Sequence, residues 1–220
     1  VIESAGSVFW EVSGDGGFID LIAGQDIYLG ANLFANGANP DGAGGYVTIE
    51  AGNNFTQRAR LNAEGGDGGD VAIVAGNIAD LDWISVSGVG QYAGGGELAI
   101  SGRTVNVNSN VRATGTLTMS YGDVDIAGCY VNVGPAGFIE TLGTGGYNTI
   151  TTSNQLSVAG TVQAGAVNKF VYRSSAPSVS GTVSPAPLLV HDATMLACDA
   201  TPSPTPTPTP VPSPTSSPLP

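Results

Sequence analysis

The sequence predicts an all-β fold, a right-handed parallel β-helix of about six to eight coils with three short strands per coil and an extended Pro/Thr-rich C-terminal tail. Two observations carry this. Three short alternating phrases return in a fixed order, with spacings of 28, 24, 27, 26 and 24 residues between successive first phrases. The second is composition: 33 glycines and 14 prolines in 220 residues, nine of the prolines beyond residue 200.

The first phrase is two apolar residues one apart, followed by a small-residue corner. It stands as Ile19-x-Leu21 before Ala23-Gly24, Val47-x-Ile49 before Ala51-Gly52, and Val71-x-Ile73 before Ala75-Gly76. It returns, one residue shorter, as Leu98-x-Ile100 and Val124-x-Ile126, and a worn copy has Asn148 in the first apolar place before Ile150. The second phrase is a short alternating pair, seen in Ile27-x-Leu29, Val105-x-Val107, Val131-x-Val133 and Leu156-x-Val158 and blurred around Phe55 and Ile78. The third closes the unit as apolar-x-small-x-Gly, from Leu33, Leu61, Ile84, Val111 and Ile139, with Val162 heading an imperfect copy. Alternation at period two means strands with one face in and one face out. Three such strands cannot bury a face alone, but stacked coils can, with inward residues forming aliphatic ladders about 4.8 Å apart. Ala and Gly suit the corners, where the inside of a turn has little room. A β-sandwich also has short strands and Gly-rich turns, but it does not return the same three phrases in order.

The coils occupy residues 1–183, with degenerate copies at both ends. Residues 184–200 leave the pattern and are expected to cap the open coil, with a short helical turn from Asp192. Residues 201–220 have no means of building a core and suit an extended spacer of about 3.1 Å per residue. Their Ser/Thr-Pro alternation is that of O-glycosylated stalks, so Thr201, Ser203, Thr205, Thr207, Thr209, Ser213 and Thr215 are glycosylation candidates.

A net charge of -12 with only 11% charged residues excludes a basic nucleic-acid binder, a coiled coil and a charge-rich disordered chain. No apolar run reaches the roughly 18 to 20 residues of a membrane span. The chain opens at Val1 without initiator methionine or leader features, as expected of a processed or excised segment. The two cysteines, Cys129 and Cys198, are compatible with one disulfide formed outside the cytosol, which points to an extracellular or cell-surface protein.

Chemistry-bearing residues are sparse, and no catalytic or metal site is expected. Asp80 with Asp82, and Asp123 with Asp125, are spaced to share a strand face, the residue type for acid/base or calcium-assisted work. The basic residues such a site also needs are only Arg58, Arg60, Arg103, Arg112, Lys169 and Arg173, scattered among different phrases. Solvated faces are therefore the favoured reading. Gly65-Gly66-Asp67-Gly68-Gly69-Asp70 matches a single β-roll calcium phrase, and Asp41 sits in another acidic loop. Turn chemistry is favoured over calcium, because that site is shared between successive repeats and none follow. His191 is the single histidine and reads as a surface or cap residue. Asn54-Phe55-Thr56 is a sequon of a kind frequent by chance. Trp83, Tyr92, Tyr121, Tyr130 and Tyr147 lie near coil edges, where packing is favoured over a sugar platform. Asn106, Asn108 and Asn110 read as outward ladder residues.

The phrases Gly-Tyr-Val-Thr-Ile-Glu-Ala-Gly-Asn at 45 to 53 and Gly-Asp-Val-Ala-Ile-Val-Ala-Gly-Asn at 69 to 77 resemble the repeats of filamentous-haemagglutinin-type adhesins and related bacterial surface β-helices. The resemblance covers residues 17 to 165 and implies architecture rather than activity.

The expectation is a non-enzymatic structural protomer. Its work would be that of an extracellular rod, stacking end to end into a homo-oligomer or fibre through Val8, Trp10, Phe170 and Tyr172 near its ends. The alternative is an adhesin whose loops 38–44, 89–96 and 116–123 bind glycans or a host protein. A polysaccharide lyase or hydrolase is the weakest reading.

Overall fold

The computed structural model is a parallel β-solenoid in which the three phrases of each repeat form successive sides of one turn. It describes residues 2–3, 14–38, 41–90, 93–116 and 122–198. Val8, Trp10 and the seven tail hydroxyls named above lie outside that set.

Strand β1 (Ile2–Glu3) pairs ahead of the first full turn, which is β2 (Phe18–Ala23), β3 (Ile27–Leu29) and β4 (Leu33–Phe34). The next turns are β5 (Tyr46–Ala51), β6 (Phe55–Gln57) and β7 (Arg60–Asn62), then β8 (Asp70–Ala75), β9 (Ile78–Leu81) and β10 (Trp83–Ser85). In the following three turns the first and second phrases run together. These are β11 (Glu97–Val107) with β12 (Asn110–Arg112), β13 (Asp123–Val133) with β14 (Phe138–Thr141), and β15 (Tyr147–Val158) with β16 (Thr161–Ala164). A shorter turn follows as β17 (Val167–Tyr172), β18 (Ser178–Val179) and β19 (Thr182–Ser184), and β20 (Leu188–His191) opens another. Among the described residues there is no helix, and so none long and apolar enough to cross a membrane.

All pairing is parallel and joins each turn to the next. The third-phrase strands make an 8-stranded sheet, and the first and second phrases make a 12-stranded sheet. Strand merging has a simple cause. The shortened first phrase, with Ser101-Gly102 and Ala127-Gly128 in place of the longer corner, lets the backbone pass from one side to the next without losing its ladder.

The core is a set of in-register ladders. Ile19, Val47, Val71, Leu98 and Val124 stack as one, and Ile49, Ile73, Ile100, Ile126, Ile150 and Phe170 as another, nearly all buried. Asn148 does take the aliphatic place above Val124, fully buried, and Asn168 repeats it one turn on. Each buried amide nitrogen finds an acceptor: Asn148 Nδ2 donates to Asn168 Oδ1 at 2.8 Å, and Asn168 Nδ2 to the Pro185 carbonyl at 2.8 Å. Buried Gln57 donates to the Trp83 carbonyl at 2.6 Å and accepts from the Asp82 amide at 3.3 Å, which holds the β9–β10 corner.

Glycine is required where turns stack backbone on backbone. A Cβ built on Gly69 would lie 2.2 Å from the Gly45 carbonyl oxygen one turn below, and one on Gly45 would lie 2.2 Å from that of Gly17. No side chain fits in such a column, so the corner leading into the first sheet stays glycine from turn to turn.

The segment after residue 184 does not leave the solenoid at once. Strand β20 adds a further rung, with Lys169 to His191 register running Lys169–Leu188, Phe170–Leu189, Val171–Val190 and Tyr172–His191. The turn after it is not helical. Asp192 Oδ1 instead accepts from the Thr194 amide at 2.9 Å and hydroxyl at 2.6 Å, a local turn that holds the Asp192 carboxyl below its ordinary pKa. The chain then runs back along the rod to Cys198, bonded to Cys129 on β13 with Cα atoms 5.4 Å apart.

Candidate functional site

The alternating strands leave three surfaces on which function can be built: two outer faces and the rung where the solenoid stops. The outer face of the third-phrase sheet carries the residues just before and after each inward aliphatic. Register places Arg60 beside Trp83, Asn110 beside Phe138, and Arg112 between Ser85 and Glu140. The result is a stack along the rod axis. The Arg60 guanidinium lies 4.9 Å from the Trp83 ring centroid, and that of Arg112 lies 5.7 Å from Trp83 and 5.4 Å from Phe138. Arg112 Nε also faces Glu140 Oε2 at 3.2 Å. Stacked guanidinium groups are attracted by the ring faces and keep their in-plane N–H groups for other partners.

The first-sheet outer face is different. Its leading column reads Phe18, Tyr46, Asp70, Glu97, Asp123 and Tyr147 from turn to turn, with Phe18 and Tyr46 stacked at 5.0 Å. Three carboxylates therefore sit on consecutive rungs. Partial burial, and then the neighbouring Asp125 charge, push the Asp123 carboxyl above its ordinary pKa. Next to this column the strands carry small outward residues, Ala72, Ala99 and Ala127 among them, and form a shallow trough.

At the C-terminal end the last rung has no further strand stacked on it among the described residues. Strand β20 has a single neighbour in its ladder, β17. Leu189 continues the buried Phe170 ladder yet is 51% exposed and Leu188 next to it is 56% exposed, while Val179, which caps the Val158 ladder one turn earlier, is 44% exposed.

The candidates from the sequence fall as follows. Phe170 is buried beneath Leu189 and is not an end-contact residue; the added rung of β20 moves that surface outward to Leu188 and Leu189. Tyr172 is half-buried, its ring 5.3 Å from His191, whose Nε2 lies 2.8 Å from the Arg173 carbonyl oxygen. Asp80 and Asp82 do not share a strand, because β9 ends at Leu81 and Asp82 lies in the corner. Asp80 is engaged instead by Arg58 at 2.5 Å and by Asn108 at 2.7 Å. Asp123 and Asp125 do share the outward face of β13.

Asp67 and Asp70 accept from different backbone partners in the next turn, the Gly94 and Glu97 amides at 2.8 and 3.3 Å. Asp41 is exposed in a separate loop. The calcium-like phrase is thus a corner between strands, and no group of three or more metal-ligating side chains converges among the described residues. The Asn54 amide is spent in a corner ladder, donating to Asp26 Oδ1 at 3.0 Å and accepting from Asn77 at 3.1 Å. Asn106 accepts from Asn132 at 3.0 Å on the outer face. Tyr130 accepts from Asn154 at 2.6 Å, while Tyr92 and Tyr121 lie outside the described residues.

The convergence of Arg60 and Arg112 on Trp83, with Arg112 also over Phe138, is not among the sequence expectations. A signal for it exists: each is immediately before or after the apolar head of a third phrase, so aligning phrase flanks places them in adjacent rows. No family model, curated protein or solved structure matches this chain.

Proposed function

We propose that this protein is the structural protomer of an extracellular or cell-surface β-helical rod that stacks end to end into a fibre, with the Pro/Thr-rich segment as spacer. One observation carries the reading: among the described residues the solenoid ends with Leu189 on β20 and, one turn earlier, Val179 on β18 left uncovered, and with the backbone edge of β20 open. An uncovered parallel rung is a template for the next strand, and a copy added there in the same sense leaves its own last rung free. Repetition of that heterologous contact yields an open filament. The repeat resemblance to surface adhesins supports the same placement outside the cell.

The test is substitution at this end. Leu189→Asp with Val179→Asp should abolish filaments seen by electron microscopy while leaving the strand signal in far-ultraviolet circular dichroism unchanged. Filaments of normal length from that variant would overturn the reading.

A further inference from the structure

The solenoid is cut on different sides at its two ends. Each sheet has two outermost strands: β1 and β19 in the 8-stranded sheet, β2 and β20 in the 12-stranded sheet. At the N-terminal end β1 lies beneath β4 on the third side, while β2 on the first side has no strand beneath it among the described residues. At the C-terminal end β20 lies above β17 on the first side, while β19 on the third side has no strand above it among them. Burial follows the step. Leu33, over β1, and Phe170, under β20, are fully buried, whereas Leu21 on β2 and Val183 on β19 are only partly so, although both continue core columns.

We propose that the two steps interlock: β20 of one copy and β1 of the next complete a single turn between them. In this joint β2 of the second copy pairs onto β20 of the first, and its β1 pairs onto β19. The inference rests on the end-to-end reading above and gives it a register. Extending the columns of the 12-stranded sheet sets Leu188, Leu189 and Val190 against Asp20, Leu21 and Ile22 of the next copy, so that leucine meets leucine in the core column. Ile22, an outward residue 72% exposed, gains Val190 as a neighbour on the same face. In the 8-stranded sheet the same extension sets Val183 and Ser184 against the positions of Ile2 and Glu3.

Charge agrees with this pairing. Residues 14–38 hold Asp15, Asp20 and Asp26 and no lysine or arginine, while residues 165–198 hold Lys169 and Arg173 against Asp192 alone. Unlike ends therefore attract, and two copies meeting by like ends bring like charges together. Asp20 of the next copy falls in the column of Lys169, two rungs or about 10 Å above it. The step also fixes rotation. A flat end on a three-sided coil can seat in several settings, whereas a strand raised on one side fits only where the facing end is low. Among the described residues neither copy supplies the second side of the shared turn, which leaves a slot one strand high between Val179 and Leu29 of the next copy.

The test is cysteine pairing across the joint in the full chain, with assembly followed by electron microscopy and linkage by non-reducing electrophoresis. Val190→Cys with Ile22→Cys probes the first side, and Ser184→Cys with Glu3→Cys the third. Each pair stands on neighbouring rungs of different copies, about 4.8 Å apart and within disulfide reach, yet at opposite ends of one chain. The parent, whose Cys129 and Cys198 are bonded to each other, sets the background. Mild oxidation should link both pairs into covalent ladders. The yield should exceed at least about tenfold that of Val190→Cys with Phe18→Cys, whose positions are out of register and about 14 Å apart. An unlinked pair, in a variant with parental thermal unfolding under reducing conditions, overturns the interlock. If the parent still forms filaments, the fibre reading stands; if it does not, both fall. Should Val190→Cys or Ile22→Cys unfold the chain, Leu188→Cys with Asp20→Cys reads the same side at the same separation, and its failure to link refutes the proposal equally.

Discussion

Asn148 and Asn168 face each other inside the solenoid, one turn apart, with Nδ2 of the first donating to Oδ1 of the second at 2.8 Å where the turns below place only aliphatic side chains. The pair passes its hydrogen bonds to the chain backbone at Gln163 and Pro185 and so ties the last turns together. Replacing Asn168 alone with Val leaves the Pro185 carbonyl without that donor and should cost about 1–3 kcal/mol. Replacing both asparagines with Val restores an aliphatic ladder and should cost less than the sum of the two single changes. Urea unfolding of the four chains of this double-mutant cycle checks the result.

The glycine column at the corners sets up a sharper contrast. Gly69→Ala forces a Cβ to within 2.2 Å of the Gly45 carbonyl oxygen, so the turns must shift, and a loss of about 2–4 kcal/mol follows. Gly24→Ala meets nothing within 4 Å and should change stability by no more than about 0.5 kcal/mol. Equal thermal midpoints for the two variants would show that backbone stacking does not select glycine here.

The link between Cys129 and Cys198 closes a segment of 69 residues over the last turns. Loop-entropy arguments put its contribution at about 4 kcal/mol. Cys198→Ser should lower the unfolding midpoint accordingly. Hydrogen exchange should accelerate in β17 to β20, and the ladders from β5 to β11 should keep their protection, because each turn is held mainly by its neighbours.

Asp123 supplies a pH signature. Burial and Asp125 raise its folded pKa above the ordinary 3.8, so the folded chain retains a proton that the unfolded chain has released. Stability is therefore lost as pH rises from about 3.8 through the folded value, and the loss is complete above it. Asp123→Asn should be more stable than the parent at pH 7 and indistinguishable from it well below pH 3.8. Denaturant unfolding at pH 3 and pH 7 measures the difference.

The ladders are readable from the chain because each phrase states its own inward positions: Val47, Val71 and Leu98 head successive phrases and stack in register. Asn148 can be placed among them for the same reason, since position in the phrase decides burial even for an amide. Residues 184–191 break the pattern in sequence and yet keep it in space. Their rung is set by backbone pairing to β17 across a spacing of 19 residues, shorter than any earlier repeat. The outer faces are the least legible. Outward residues do not repeat in type, so Arg60, Trp83 and Arg112 look scattered until register, rather than spacing along the chain, sets them side by side.

Imaging of the native assembled material by unstained electron microscopy, at a resolution that separates strands, tests the fibre reading most directly. The account requires continuous filaments in which β20 of one copy abuts the N-terminal turn of the next, with the strand repeat of about 4.8 Å running unbroken through the junction. Isolated short rods under the same conditions, with solvent over Leu189 and Val179, would contradict it.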